Sequence, residues 1–137
     1  MSEDLIRMTP NHERAKSILA MVEVRLKAVA FLNPEEFATI IVENYYEVIK
    51  ELLTALLAAE GYKTLSHIAL IEYLRTNHKN KFTELEIITI DELRKLRNRI
   101  TYEGFMIKSD FFQRKAPGIT AIISKLKEIV NKLLTKN

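Results

Sequence analysis

Residues 33–61 read NPEEFATIIVENYYEVIKELLTALLAAEG, and this stretch decides the fold. Asn33 is a favourable helix N-cap, Pro34 suits the first helical position, and Gly61 is a typical helix stop. Between them, apolar residues recur at helical spacing and predict a buried stripe: Phe37, Ile41, Tyr45, Val48, Leu52 and Leu56. The stretch therefore predicts one long amphipathic helix that packs on other helices.

The chain before this stretch predicts a first helix over about residues 10–31. Thr9 is suited to the N-cap and Pro10 to the first helical position. Apolar residues then follow at helical spacing: Ile18, Val22, Leu26 and Val29. The short connection to Asn33 predicts that the first two helices lie antiparallel.

Two more helices are predicted after Gly61. The third starts near residues 64–66 and ends around Asn77. The fourth covers roughly residues 83–103, because Thr83 and Glu86 have the spacing of a capping box. The apolar residues assigned to the buried faces of these two helices are Ile68, Ile71, Leu74, Leu85, Leu93, Leu96 and Ile100. The HKNK segment between them is predicted to be a loop.

The last predicted helix follows an irregular stretch that contains Pro117 and Gly118. Its apolar positions are Ile119, Ile122, Leu126, Ile129 and Leu133. Five helices with mostly short connections predict an all-α, up-and-down helical bundle. A chain of 137 residues has the usual size of one domain, so a single domain over residues 1–137 is expected.

Composition supports this fold class and narrows the possible chemistry. With three Gly and three Pro, the chain lacks the turn residues that many short strands need. No cysteine is present, which excludes disulfides and thiolate metal sites. No apolar run has membrane-spanning length, and the N-terminal MSEDLIRM lacks the features of a signal peptide. We expect a cytoplasmic protein with no membrane contact and no metal or other cofactor.

The net charge of +3 is distributed unevenly. Residues 34–60 contain six glutamates against Lys50, whereas residues 91–115 contain seven Lys or Arg against four acids. Such an asymmetry can attract a polyanion to one face. It can equally result from pairing between an acidic and a basic helix, and the sequence leaves both interpretations open.

Most enzyme motifs are missing, since the chain has neither a glycine-rich phosphate loop nor an HExxH pattern. The three histidines, His12, His67 and His78, fall in different elements, so surface or local hydrogen-bonding roles are favoured over metal binding or catalysis. Three glutamates, Glu43, Glu47 and Glu51, repeat at i+4 spacing, which places like charges on one helix face. We expect Glu51 to be solvated and Glu47 to reach inward to an arginine of the fourth helix.

Residues 93–105, LRKLRNRITYEGF, carry the most informative motif. They resemble the HEPN motif, in which Arg-Asn is followed by three residues and then His; Arg97 and Asn98 match, and Tyr102 occupies the histidine position. The upstream segment ENYYEVIKELLTALLAAEGYKTLSHIALIEYL, residues 43–74, resembles the second and third HEPN helices. The resemblance implies a helical bundle, commonly dimeric, that acts as a metal-independent endoribonuclease or as the partner of a minimal nucleotidyltransferase.

The resemblance also implies roles for individual residues. Arg97 would contact phosphate, Asn98 would position the ligand, and Glu47 would match the polar residue of the second helix. The basic neighbours Arg94 and Arg99 are further binding candidates. Because five residues on a helix turn by about 140° and rise by about 7.5 Å, positions 97 and 102 can converge only across a groove or a dimer interface.

Tyr102 limits the enzymatic interpretation, because a tyrosine titrates near pH 10 and a histidine at about 6.5, which makes tyrosine a poor base at neutral pH. Tyr102 could donate a hydrogen bond, stack on a base or accept a nucleotidyl group, although the family's modified tyrosine stands where this chain has Gly104. It could also simply pack on Phe105. The sequence thus predicts a nucleotide- or RNA-associated interaction module that works with a nucleotidyltransferase in a toxin–antitoxin-like system. The alternative is an endoribonuclease of toxin or defence type, with Arg97 and Tyr102 as catalytic residues.

Overall fold

In the computed structural model, which describes residues 4–135, five helices and one short pair of strands follow one another. They are β1 (Ile6–Arg7), α1 (His12–Ala30), α2 (Pro34–Glu60), β2 (Tyr62–Lys63), α3 (His67–Asn77), α4 (Glu84–Glu103) and α5 (Ser109–Thr135). The predicted all-α helical bundle is confirmed. Residues 1–3 and 136–137, which include the start of MSEDLIRM and the ends of the predicted single domain, lie outside the described residues.

The second helix is the centre of the bundle, because α2 contacts each of the other four helices. Its predicted ends are confirmed: the Asn33 side chain accepts a hydrogen bond from the backbone N–H of Glu35 at 3.0 Å, and Gly61 adopts φ 93°. Most of the predicted stripe is buried, with Phe37 and Tyr45 only half-buried. Residues on other sides of the helix are buried as well: Val42, Ile49, Leu53 and Leu57. This helix therefore supplies the core on several sides, as a helix surrounded by neighbours must.

The predicted start of the first helix is wrong by about two residues. Asn11, not Thr9, is the N-cap of α1, and its side chain accepts a hydrogen bond from the backbone N–H of Arg14 at 2.9 Å. The preceding backbone is tied to the end of α2 instead. The N–H of Met8 donates to the carbonyl of Gly61, and β1 pairs antiparallel with β2. These long-range hydrogen bonds hold residues 6–8 in an extended conformation.

The predicted starts of α3 and α4 are confirmed. Ser66 caps α3 by accepting from the N–H of Ala69 at 3.1 Å, and Thr83 and Glu86 form both hydrogen bonds of a capping box. The predicted burial of Ile68 and Leu85 is wrong, since these side chains are 53% and 71% exposed. In α4 the buried stripe is formed by Ile87, Ile90 and Leu93, because α4 packs on α2, α3 and α5.

The predicted irregular stretch around Pro117 is wrong, because α5 runs through it without interruption. A proline inside a helix removes a backbone hydrogen bond, so other contacts must hold the first turns of α5. Phe112 is buried, and its ring stacks on Tyr45 with 6.3 Å between the ring centroids. Just before the helix, the N–H of Ile107 donates to the hydroxyl of Thr39 at 2.7 Å. Tertiary packing thus outweighs the local signal. None of the helices within residues 4–135 has an apolar segment long enough to cross a membrane.

Candidate functional site

Seven polar side chains gather where α2, α3 and α4 meet, and we call this group the polar cluster. Its members are Tyr46, Glu47 and Lys50 on α2, His67 at the start of α3, and Asp91, Arg94 and Arg97 on α4. The long central helix fixes the first three side chains, and the Ser66 cap fixes where α3 begins. The cluster therefore stands on rigid helical backbone rather than on loops.

Glu47 is the link between α2 and α4. Its Oε2 atom lies 2.7 Å from Nζ of Lys50, and its Oε1 atom lies 3.7 Å from Nη2 of Arg97. The prediction that Glu47 reaches an arginine of the fourth helix is confirmed. Each of the three side chains is between 22% and 28% exposed, so the network is partly shielded but remains open to solvent.

A second ion pair completes the α4 side of the polar cluster. Nε of Arg94 donates to Oδ1 of Asp91 at 2.9 Å, and the Arg94 side chain is 17% exposed. Burial by itself would raise the pKa of Asp91, but hydrogen bonds and charge from Arg94 and Lys95 outweigh it and hold that pKa below its usual value. Asp91 is therefore ionised at neutral pH.

Tyr46 and His67 form the titratable part of the polar cluster. The Tyr46 hydroxyl oxygen lies 2.9 Å from Nδ1 of His67, and Tyr46 is 2% exposed. Burial raises the pKa of Tyr46 to about 12, against the opposing effect of Arg94 and Arg97. The phenol therefore remains protonated at neutral pH. It can donate to Nδ1 of one histidine tautomer or accept from Nδ1–H of the other.

His67 is kept neutral by its surroundings. Burial lowers its pKa first, and the positive charges of Lys50 and Arg97 lower it further. Its Nε2 atom has no hydrogen-bond partner among residues 4–135. Every fully buried side-chain nitrogen or oxygen in that range has a partner, so Nε2 is not fully buried. The Nε2 atom therefore retains contact with solvent and can exchange a proton with a ligand, and Arg97 is near enough for its charge to lower the pKa of His67.

The polar cluster carries an excess of one positive charge when His67 is neutral. The cations are Lys50, Arg94 and Arg97, and the carboxylates are Glu47 and Asp91. One unbalanced charge among partly shielded cations suits a singly charged anion such as a phosphodiester. Planar guanidinium groups bind such oxygens with two parallel hydrogen bonds.

Two of the residues predicted for the site lie elsewhere. Tyr102 is 79% exposed, and its side chain makes no hydrogen bond or ring contact with another described residue. The alternative that it packs on Phe105 is wrong, because Tyr102 is 79% exposed and its ring does not contact that of Phe105; the guanidinium of Arg99 lies over the Phe105 ring at 3.9 Å instead. Arg99 also pairs with Glu103 at 3.8 Å, outside the polar cluster. Asn98 is half-buried, and its side chain makes no hydrogen bond to the rest of the described chain.

Pairing within the chain accounts for part of the charge asymmetry. Glu47 and Arg97 do pair between helices. Glu51, which was predicted to be solvated, instead pairs with Arg25 of α1 at 2.7 Å and is only 20% exposed. By contrast, three cations near the start of α5 have no acidic partner within residues 4–135: Lys108, Arg114 and Lys115. A positive surface therefore remains beside α5 after the internal pairs have formed.

Sequence reasoning did not assign Tyr46, Lys50 and His67 to a site. For His67 it favoured a surface position or a local hydrogen bond, whereas the observed bond joins it to Tyr46 on another helix. The same holds for His78, which is buried with its Nε2 atom 2.8 Å from Oε1 of Glu60. The available signal was a histidine directly after a helix cap, but the sequence does not show that this cap lies against α2.

Lowering the pH from about 7 to about 5.5 is expected to destabilise the natural protein more than the His67→Gln variant. The pKa of His67 is lowered in the folded state, so the unfolded chain binds more protons in this range. The stability that is present above the pKa of His67 in the unfolded chain is lost as the pH falls through the lower pKa that His67 has in the folded protein. Urea unfolding at both pH values measures the difference.

The titration of two carboxylates does not affect the comparison between the natural protein and His67→Gln. Glu60 and Asp91 have pKa values held below their ordinary ones and titrate at lower pH. Burial opposes the lowered pKa of Glu60, and hydrogen bonds from His78 and Tyr73 outweigh it. His12 and His78 are present in both proteins. Equal losses in the two proteins would show that His67 is not held neutral.

Comparison of the chain with protein-family models, with curated proteins and with solved structures found no match. The resemblance to the HEPN family stays a prediction that rests on residues 43–74 and 93–105.

Proposed function

We propose that this chain is a nucleotide- or RNA-binding interaction module that grips a phosphate at the polar cluster. The observation that carries the proposal is the excess positive charge of Lys50, Arg94 and Arg97 beside the solvent-reaching Nε2 atom of His67. A phosphodiester neutralises this charge without displacing either carboxylate. The cations of the cluster are held in place by rigid helices, and they favour a ligand that carries a single anionic group.

Arg97 is the best-placed phosphate ligand. Its 3.7 Å distance to Glu47 is longer than a hydrogen bond, which spans about 2.7–3.2 Å, so most of its five N–H donors remain available. Lys50 likewise uses one of three donors on Glu47. A phosphate oxygen between these two cations would gain charge-assisted hydrogen bonds.

The HEPN resemblance adds further features to the proposal. Asn98 positions the ligand next to Arg97, and the exposed Tyr102 ring offers a face on which a base can stack or a hydroxyl that a nucleotidyltransferase can modify. The module then works with a minimal nucleotidyltransferase in a toxin–antitoxin-like system. The proposed partnership with a nucleotidyltransferase is supported by the exposure of the Tyr102 side chain, whose hydroxyl is accessible.

A homodimer is also part of the proposal. The outer face of α1 exposes Met21, Val24 and Phe31, which are 48%, 61% and 90% exposed and lie on one stripe of the helix. Exposed apolar patches on small proteins commonly mark contact surfaces. Sedimentation equilibrium at micromolar concentration is expected to show a dimer that Val24→Glu/Phe31→Glu converts to monomer. A natural protein that sediments only as monomer would refute it.

The experiment that tests RNA binding is a fluorescence-anisotropy titration of a labelled 12-nucleotide single-stranded RNA. One phosphate bound at the polar cluster predicts that log K falls against log salt with a slope of about −0.7, the contribution of one neutralised phosphate on a single strand. A slope near zero, or no binding at low salt, would contradict the proposal. Inorganic phosphate as competitor reports whether the phosphate alone is recognised.

A second candidate function is metal-independent RNA cleavage centred on His67. The observation that favours it is the Tyr46–His67 pair beside Arg97, which combines a neutral imidazole held by a hydrogen bond with a phosphate-binding cation. Sequence analysis placed the titrating position at residue 102 instead. The two positions predict different effects of substitutions at residues 67 and 102 on the cleavage rate.

A further inference from the structure

Two adjoining cavities form a groove between α4 and α5, separate from the polar cluster, and we call it the α4–α5 groove. The cavities have volumes of about 250 and 350 Å³ and share Leu96, Arg99 and Phe111 as lining residues. The floor is apolar and also includes Leu93 and Ile119. An apolar floor open to solvent is favourable for burying apolar side chains of a partner.

The rim of the α4–α5 groove is strongly basic. Its cations are Lys95, Arg99, Lys108, Arg114 and Lys115, and its acids are Glu92 and Asp110, which leaves a net charge of +3. Lys95 and Arg99 have acidic neighbours in α4, at 3.4 Å from Asp91 and 3.8 Å from Glu103. The three cations contributed by residues 108–115 have no acidic partner within residues 4–135. Their charge is therefore available to an incoming ligand.

From this combination we propose that the α4–α5 groove docks an acidic amphipathic helix of a partner protein. The partner's apolar stripe lies on the half-buried Leu96 and Phe111, and its glutamates or aspartates meet the cationic rim. The lined part of α4 runs from Thr89 to Arg99, which corresponds to about 15 Å or nearly three helical turns. That length matches the anchors of a helix bound in a groove, which repeat at i, i+3 or i+4, and i+7.

A nucleic acid fits the same surface less well. Bases in single strands stack on open aromatic faces, and here the guanidinium of Arg99 covers Phe105 at 3.9 Å and that of Arg114 lies over Phe111 at 5.8 Å. The rest of the floor is mainly aliphatic. Branched aliphatic surface packs on aliphatic side chains, so the geometry favours a protein helix over a base.

The probe for this proposal is a labelled 18-residue peptide with leucines along one helical stripe and glutamates elsewhere, titrated by fluorescence anisotropy against the full chain. A peptide of the same composition, with its leucines scattered around the helix, is the first control. We expect the striped peptide to bind and the scattered one to bind at least fivefold more weakly, because only the striped one can bury its leucines and pair its charges together.

The matched variants are Lys108→Glu/Lys115→Glu in the groove and Lys63→Glu/Lys79→Glu elsewhere on the surface. All four lysines are exposed, and none has an acidic partner within residues 4–135, so both variants change the charge equally without removing a contact. The groove variant is expected to weaken binding of the striped peptide roughly fivefold or more, and the surface variant to leave it nearly unchanged. Circular dichroism confirms that both fold.

Four outcomes would overturn the proposal. Equal binding of the two peptides would show that charge alone is responsible, and equal weakening by the two double variants would show that the groove is not the site. Loss of binding to the 12-nucleotide RNA in the groove variant alone, without peptide binding, would assign the groove to nucleic acid. Loss of a dimer in that variant, again without peptide binding, would show that a second copy covers it.

Discussion

Arg97→Ala is expected to weaken the binding of a 12-nucleotide single-stranded RNA by about tenfold to a hundredfold, since a hydrogen bond to a charged group contributes about 1.5–3 kcal/mol. The loss is large because Arg97 is the cluster's best-placed ligand and is shielded enough to interact strongly, with 27% of its side chain exposed. Fluorescence anisotropy at low salt measures the affinity. The thermal midpoint is expected to change little, since the distance to Glu47 is already 3.7 Å.

Arg99→Ala is the matched control for this prediction. It removes the same charge from the same helix, but Arg99 lies on Phe105 and outside the polar cluster. Its effect on RNA affinity is expected to be less than threefold, in line with a surface charge. Equal losses in the two variants would attribute binding to overall charge rather than to the cluster. Unfolding of Arg97→Ala would instead identify Arg97 as a structural partner of Glu47.

The parts of the fold that the sequence predicted correctly depend on signals within one helical turn. The Asn33 and Ser66 caps and the Thr83–Glu86 capping box place helix starts, and Gly61 places a helix end. Such caps satisfy backbone groups of the same helix, so no knowledge of distant residues is required. The starts of three helices could therefore be located from the sequence alone.

The errors arise where distant residues decide the local structure. Pro117 was assigned to an irregular stretch, yet α5 continues through it because Phe112 packs on Tyr45, which is distant in sequence. The start of α1 is delayed because Met8 bonds to Gly61. Local propensity contains no information about these contacts, and tertiary packing outweighs it.

In the candidate site, too, the sequence predicted one part and missed the part that depends on contacts between distant residues. Glu47 and Arg97 could be paired in advance, because both lie on predicted helices and carry opposite charges. The contact between Tyr46 and His67 could not be predicted, because this 2.9 Å contact depends on where the start of α3 packs against α2. Tyr102 was included through its place in the motif, but a separation of five residues turns it by about 140° from Arg97, and its side chain is 79% exposed.

The ribonuclease hypothesis predicts RNA cleavage in the presence of EDTA at a rate that falls about 10²- to 10⁴-fold in His67→Gln, the range associated with loss of general acid–base catalysis. In this mechanism Nε2 of His67 takes the proton of the ribose 2′-hydroxyl. The 2′-oxygen attacks phosphorus to form a 2′,3′-cyclic phosphate, the bond from phosphorus to the 5′-oxygen breaks, and the leaving 5′-oxygen takes a proton from water. Arg97 stabilises the negative charge that develops on the phosphoryl oxygens, and Tyr46 holds the imidazole through Nδ1.

Substitutions at residue 102 distinguish the two possible positions of the titrating group. A site that uses the motif position predicts that Tyr102→His raises the cleavage rate, because imidazole titrates near neutral pH. A site centred on His67 predicts that Tyr102→His and Tyr102→Phe both leave the rate unchanged, since the Tyr102 side chain contacts none of the cluster. Initial rates on a mixed-sequence RNA for the natural chain and these variants give the answer.

The pH dependence of cleavage provides an independent test of His67. Burial and the nearby cations lower its pKa, so the basic form is present at lower pH than for a free histidine. We expect the rate to rise with pH through a value below about 6.5 and then to level off, and this acidic limb to be absent in His67→Gln. An unchanged limb in that variant would exclude His67 as the base. No cleavage by the natural chain at any pH would leave phosphate binding as the function of the polar cluster.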